Sequence, residues 1–138
     1  MFAEAGLPNA ERDFVPNSHP ALNVAELARE RGVYDDVHMA LMHAYWAEGQ
    51  DIGDADVLAE IAEPFGLDPD EVRDVVASGR YEDQIAASTA AVLEAGAGGV
   101  PAFAVDDRLL IPGAQPHELF DRVLEKLGYE GEDVDNVP

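Results

Sequence analysis

Only two segments of this chain have the composition of a β-strand, and they are neighbours. Ala102-Phe-Ala-Val105 and Arg108-Leu-Leu-Ile111 are short apolar runs separated by Asp106-Asp107, a turn signal, and Pro112-Gly113 closes the second run. They read as one β-hairpin. A lone hairpin is marginal in water, so two strands need further strands or another surface to cover them. Whatever this chain folds into is therefore mostly helical, with a strand layer that is missing a part or has it supplied by a partner.

The helical pattern precedes the hairpin. Residues 1–17, with Phe2, Gly6, Leu7, Pro8 and Pro16, have little periodicity and read as a helix remnant followed by an irregular arm. Asn17-Ser18-His19-Pro20 is a helix start: Asn17 or Ser18 can cap, and proline is tolerated in the first turn. Leu22, Ala25, Leu27 and Ala28 follow, and Gly32 is the stop. A second helix is expected from about Asp35 to Glu48, with Val37, Leu41, Ala44 and Tyr45 on one stripe widened by Met42 and Trp46. A third, about 55–65, directs Val57, Leu58, Ile61 and Ala62 inward and ends at Pro64 and Gly66. Asp68-Pro69-Asp70-Glu71 starts a fourth: a cap, proline at the first helical position, and Glu three residues after the cap. A fifth spans about 81–95, and a last amphipathic helix runs from Pro116 to Leu127 after the hairpin.

Charge narrows the function. Lys+Arg is 8 against Asp+Glu 29 in 138 residues, a formal charge of -21, and the acids are spread along the chain instead of forming a block. Such a surface repels phosphate backbones and anionic membranes, so neither nucleic acid nor membrane is an expected partner. No apolar run reaches the roughly 18 residues of a membrane span. Met1–Asn9 lacks the basic and apolar regions of a secretion signal, so a cytoplasmic location is expected. Self-repulsion of this size costs stability unless salt screens it, which suits a high-salt cytoplasm; the alternative is an acidic protein of an ordinary cell. The chain has no cysteine, which excludes a disulfide framework, a thiolate metal site and a thiol nucleophile.

Gly99-Val100-Pro101-Ala102-Phe103, then Asp107-Arg108, then Gly113-Ala114-Gln115-Pro116 resemble the DsbA family of thioredoxin-fold oxidoreductases. More narrowly, the chain is similar to the cytoplasmic, polyketide-associated DsbA-like branch, which is related to the 2-hydroxychromene-2-carboxylate isomerases. Pro16-Asn17-Ser18, Tyr45-Trp46-Ala47-Glu48-Gly49-Gln50-Asp51-Ile52-Gly53-Asp54, Val57-Leu58 and Gly66-Leu67-Asp68 resemble that branch's inserted helical domain. The resemblance covers about residues 2–128. It implies an α/β thioredoxin-like fold that is incomplete. Residues 1–97 would be the inserted all-helical domain of about five helices, 98–128 the C-terminal β-hairpin and helix, and 129–138 an acidic flexible tail. In the family a strand, a Cys-x-x-Cys helix and a second strand precede the insertion, so this sequence is expected to be the C-terminal portion of such a protein.

Thiol–disulfide exchange requires a thiolate, so no residue here is assigned a catalytic role. The resemblance assigns substrate docking to Val100, Pro101 and Ala102, with the Val100 backbone pairing with an extended peptide and Pro101 corresponding to the family's cis-proline. On the residues alone, Pro101 is an ordinary proline at the first residue of a strand. His38 and His43 are five apart, which does not place them on one helical face, and no metal site is expected. His19 and His117 sit at helix starts without a role. Met42, Tyr45 and Trp46 either line a small-molecule pocket or, as their spacing favours, form a helix–helix seam. Asp51 and Asp54 are either a carboxylate pair or, for Asp54, a helix cap.

The expected function is that of a DsbA-like protein of the disulfide-oxidoreductase family, redox-inactive as this chain alone and without a cofactor. A cysteine-less binding module and a glutathione-dependent isomerase-like fragment are the alternatives. Expected partners are a peptide or small-molecule ligand near Val100-Pro101, and a second copy or another chain supplying the missing strands. Phe103 and Val105 would lie at or near that contact, with Phe120 and Leu124 beneath.

Overall fold

The computed structural model describes residues 6–11, 13–106 and 109–129. Its elements run α1 (His19–Arg31), α2 (Tyr34–Trp46), α3 (Ala55–Ala62), α4 (Pro69–Ser78), α5 (Glu82–Glu94), β1 (Ala102–Val105), β2 (Leu109–Pro112) and α6 (His117–Leu127). Two compact units divide the chain, one up to Ser88 and one from Thr89 onward.

The first unit is a helical cluster. Val24 and Leu27 of α1, Val37 of α2, Leu58 of α3, and Val72 and Val75 of α4 are fully buried and pack together with alanines at 21, 25, 28, 59 and 62. Each large side chain withdrawn in this way contributes about 1.5–3 kcal/mol. The alanines let the helices approach closely. Asp54 and Asp68 begin α3 and α4 as side-chain caps: Asp54 Oδ1 accepts from the Asp56 and Val57 amides at 2.8 and 3.3 Å, and Asp68 Oδ1 from Asp70 and Glu71 at 2.8 and 3.2 Å. These satisfy amide donors that a helix start leaves open.

Some boundaries differ from the sequence reading, each for a local reason. The third helix ends at Ala62 and tightens into a 3-10 turn over Glu63–Phe65, because Pro64 has no N–H to continue the α-helical ladder. The second helix ends at Trp46, two residues early. At the head of α1, Ser18 occupies the cap position without a side-chain cap bond, while Asn17 Oδ1 accepts from the His19 amide at 3.1 Å. Residues 6–11 and 13–17 form no helix, though the Ala10 amide donates to the Trp46 carbonyl at 2.7 Å; residues 1–5 of the expected helix remnant lie outside the described residues.

Arginine ties the outer faces of this unit. Arg31 of α1 reaches Glu71 of α4 at 2.7 Å, and the same Glu71 meets Arg80 at 3.3 Å. Arg73 bridges Asp56 of α3 and Asp70 at 2.6 and 3.0 Å. Glu71 thus serves these ion pairs, where the Asp68-x-x-Glu71 spacing suggested a reciprocal capping box.

In the second unit β1 and β2 pair antiparallel, with Ala102 opposite Pro112, Phe103 opposite Ile111, Ala104 opposite Leu110 and Val105 opposite Leu109. Asp107 and Arg108 of the turn lie outside the described residues, as do residues 130–138 of the expected acidic tail. Tyr129, assigned to that tail, is held: its hydroxyl donates to Asp106 Oδ1 at 2.6 Å, and the neighbouring carboxylate pushes the phenol pKa up.

Candidate peptide-docking site

The candidate residues lie on the segment from Gly96 to Val105. Gly96 closes the helix that precedes it, its N–H donating to the Leu93 carbonyl at 3.0 Å, and its positive φ of 92° turns the chain. Ala97 is buried, and Gly98-Gly99-Val100 then leads into the hairpin with Val100 95% exposed. Neither Gly98 nor Gly99 has any atom within 4 Å of where a side chain would begin, so the backbone here is open on its outer side. The Val100–Pro101 peptide bond is cis.

Hydrogen-bond parity decides which groups face outward. The Gly113 amide donates to the Pro101 carbonyl at 2.8 Å, which makes 101 and 113 a bonded pair in the register given above. Alternation along an antiparallel ladder then turns the N–H and C=O groups of Ala102 and Ala104 away from β2. Among the described residues β1 pairs with β2 alone. The outer edge of β1 therefore offers two residues' worth of backbone donors and acceptors, continuous with exposed Val100. On one face of the hairpin, the ring of Phe103 meets Phe120 of α6 edge-on at 4.9 Å, and Phe103 remains 41% exposed. On the other side Leu110 lies near Gly96.

The three residues assigned by resemblance, Val100, Pro101 and Ala102, are thus contiguous at the start of an open strand edge. Ala104 completes that edge and was not singled out; only pairing parity identifies it. The other candidates stay apart. His38 stacks on Tyr34 at 5.4 Å, and His43 Nδ1 lies 3.4 Å from Glu48. Tyr45 and Trp46 are half-buried and meet edge-on at 4.8 Å, Tyr45 also lining a shallow recess with Phe14 and Val15, while Met42 is exposed. Asp51 Oδ1 accepts from the Gly53 amide at 2.9 Å, and Asp54 is a cap. Among the described residues no group of three His, Asp or Glu side chains could hold a metal ion, and no helix is long and apolar enough to cross a membrane.

One polar cluster was not legible at all. Asn23, 2% exposed inside α1, donates through Nδ2 to the His19 carbonyl at 3.1 Å and to Glu82 Oε1 at 2.8 Å, and accepts from the Tyr81 amide at 3.0 Å. His19 Nδ1 lies 3.1 Å from Glu82 Oε2, Gln84 donates to Glu26, and the Tyr81 hydroxyl donates to Glu30. Residues 19, 23, 26 and 30 follow one face of α1, so this row of polar contacts fastens the first turn of α5. The Asn23 amide, and after it His19, hold the Glu82 carboxyl below its ordinary value.

A family model for the DsbA-like thioredoxin domain matches residues 6–125. The chain belongs to the DsbA-like thioredoxin domain family. An uncharacterized protein of Bacillus subtilis, YwbO, is 31% identical to this DsbA-like chain over 111 residues, which are 77% of this chain and 55% of YwbO. The crystal structure of a probable DsbA oxidoreductase from Streptomyces coelicolor, SCO1869, superposes with a TM-score of 0.78 at 30% identity, covering 95% of this chain and 58% of that one. The DsbA-like chain therefore spans little more than half the length of the relatives it matches, and its mostly helical architecture is that part of a DsbA-like thioredoxin fold.

Proposed function

We propose that this chain is a substrate-docking portion of a DsbA-like disulfide oxidoreductase, receiving an extended peptide along the exposed Gly98-Gly99-Val100 backbone ahead of Pro101. The observation that carries the reading is exposed backbone: nothing lies within 4 Å of where a side chain would begin at Gly98 or Gly99, and Val100, which follows, is 95% exposed. Strand addition uses such main-chain groups for affinity and neighbouring side-chain positions for selectivity. Here the exposed Phe103 ring and the Val100 side chain are apolar surfaces near that backbone. The chain has no thiol to attack a disulfide sulfur, so the redox step falls to a polypeptide that carries the cysteine pair. We place the protein in a cytoplasm rich in salt, on the strength of its charge of -21.

Two measurements test this. The purified chain should reduce no disulfide substrate above background, and turnover that survives removal of contaminating thioredoxins would overturn that half. In an amide-resolved NMR titration with an extended β-prone peptide, the Gly98, Gly99 and Val100 amides should shift first and most. Shifts confined to the helical cluster, or none, would overturn the docking half.

A further inference from the structure

A recess on the helical cluster is formed by α2, α3 and the 3-10 turn that follows α3, with every lining residue between positions 40 and 65. Its walls therefore come from the packing of neighbouring helices within one unit, apart from the hairpin and the residues that follow it. The recess holds about 450 Å³, inside the range of roughly 300–1,000 Å³ common to small-molecule sites. Ala44 at this recess is buried, and Ala40, Ile61 and Phe65 are half-buried. Alanine at 40 and 44 is what leaves the space, since a longer side chain at either position would occupy it.

The charges at this recess have one sign. Glu48 and Glu60 line it, and no Lys or Arg does. The arginine pairs of the cluster engage Glu71, Asp56 and Asp70, none of which lines the recess. His43, with Nδ1 3.4 Å from Glu48 Oε1, is the one titratable base there. Acids cover the whole chain, but here two of them border apolar surface supplied by four side chains.

That pairing restricts the occupant. An anion is repelled by both carboxylates. A hydrated inorganic cation gains nothing from the apolar walls. A neutral apolar body covers the walls but gives the carboxylates nothing in return. Only an organic cation uses both parts, burying its body while its charged group stays at the wet, acidic rim. We propose that this recess binds a small protonated organic amine whose body, about one ring in size, covers Ala40, Ala44, Ile61 and Phe65 while its ammonium faces Glu48 and Glu60. This site is separate from the docking segment and does not depend on it.

The test titrates the full chain at 0.2 M KCl with 2-phenylethylamine, followed by amide-resolved NMR, with 2-phenylethanol and ethylamine as the body without the charge and the charge without the body. The amine should shift the Ala40, Ala44, Ile61 and Phe65 amides most and bind about tenfold tighter than 2-phenylethanol, two exposed charge contacts of ordinary size giving that ratio. Ethylamine should produce no localised shifts. Glu60→Gln should weaken 2-phenylethylamine about threefold, while Glu94→Gln, the same loss of charge at an exposed position on α5, should leave its affinity unchanged. Glu60 and Glu94 are both exposed on helices, where Gln is tolerated, and circular dichroism verifies the fold of each variant. Equal affinity for 2-phenylethanol would overturn the role of the carboxylates. Shifts spread over all the acidic helices, ethylamine matching 2-phenylethylamine, or equal losses in the two variants would reduce the effect to general attraction by an acidic surface and overturn the site. The absence of any shift at the recess would overturn it as well.

Discussion

Replacing Asn23 by alanine measures what holds the first turn of α5 to the helical cluster. The variant leaves the Tyr81 N–H without its acceptor, a cost of about 1–3 kcal/mol, and removes the bond to the His19 carbonyl, about 1 kcal/mol. The Glu82 carboxylate is reached by solvent and returns to water, so it is left out of the sum. The expected loss is about 2–4 kcal/mol, and for a chain of this length that lowers Tm by roughly 7–14 °C. Thermal unfolding followed by circular dichroism in 2 M KCl, where general repulsion is screened, gives the number. Asn23→Asp should lose more at neutral pH, because it retains an acceptor for Tyr81 but sets a buried carboxylate against Glu82. A Tm shift under about 2 °C for Asn23→Ala would refute the account, since the backbone of Tyr81 would then have found another partner at no cost.

The lowered pKa of Glu82 fixes the sign of a pH effect: its stabilisation is present above the unfolded-state value and is lost as pH falls through the folded-state value. Between pH 6 and pH 3 the stability of Glu82→Gln should change less steeply in the acid direction than that of the wild type, and parallel curves would count against it. In Gly53→Ala the new methyl would lie 3.1 Å from the Asn17 carbonyl and 3.0 Å from Asp51 Oδ1, which predicts a loss of about 1–3 kcal/mol by urea unfolding. Gly98→Ala meets nothing within 4 Å and should stay within about 0.5 kcal/mol; equal losses at the two sites would sink the packing argument. Raising KCl from 0.1 M to 2 M should raise Tm, because the arginine ion pairs that salt weakens are exposed and contribute at most about 1 kcal/mol each, less than the repulsion it relieves. A flat or falling Tm would show that the pairs dominate.

The helix starts at Asp54 and Asp68 and the stop at Gly32 were legible because each depends on residues a few positions apart. The hairpin was legible for the same reason. What escaped depends on partners far along the chain. Asn23 looks like an unremarkable polar residue among alanines and leucines, and its partners Tyr81 and Glu82 are about sixty residues away. Glu71 has the spacing of a capping box, but Arg31, forty residues earlier, competes for the same carboxylate. At the start of the hairpin the family resemblance singles out Val100, Pro101 and Ala102 as candidates. That the backbone groups of Ala102 and Ala104 turn away from β2 follows only from knowing that Pro101 and Gly113 share a hydrogen bond, which no composition rule reveals.

The division of the chain near Ser88 has a consequence for how the protein is made. Among the described residues, the buried side chains of the helical cluster all lie between Ala21 and Val75, so that core has been translated before the hairpin. At about 5–20 residues per second, the residues from Thr89 onward take roughly 3–10 s to synthesise. Helical domains rich in local contacts settle in microseconds to milliseconds. On the ribosome, then, the helical cluster can settle while the hairpin is still being made, and nascent chains on neighbouring ribosomes present acidic, mutually repelling surfaces before either displays a strand.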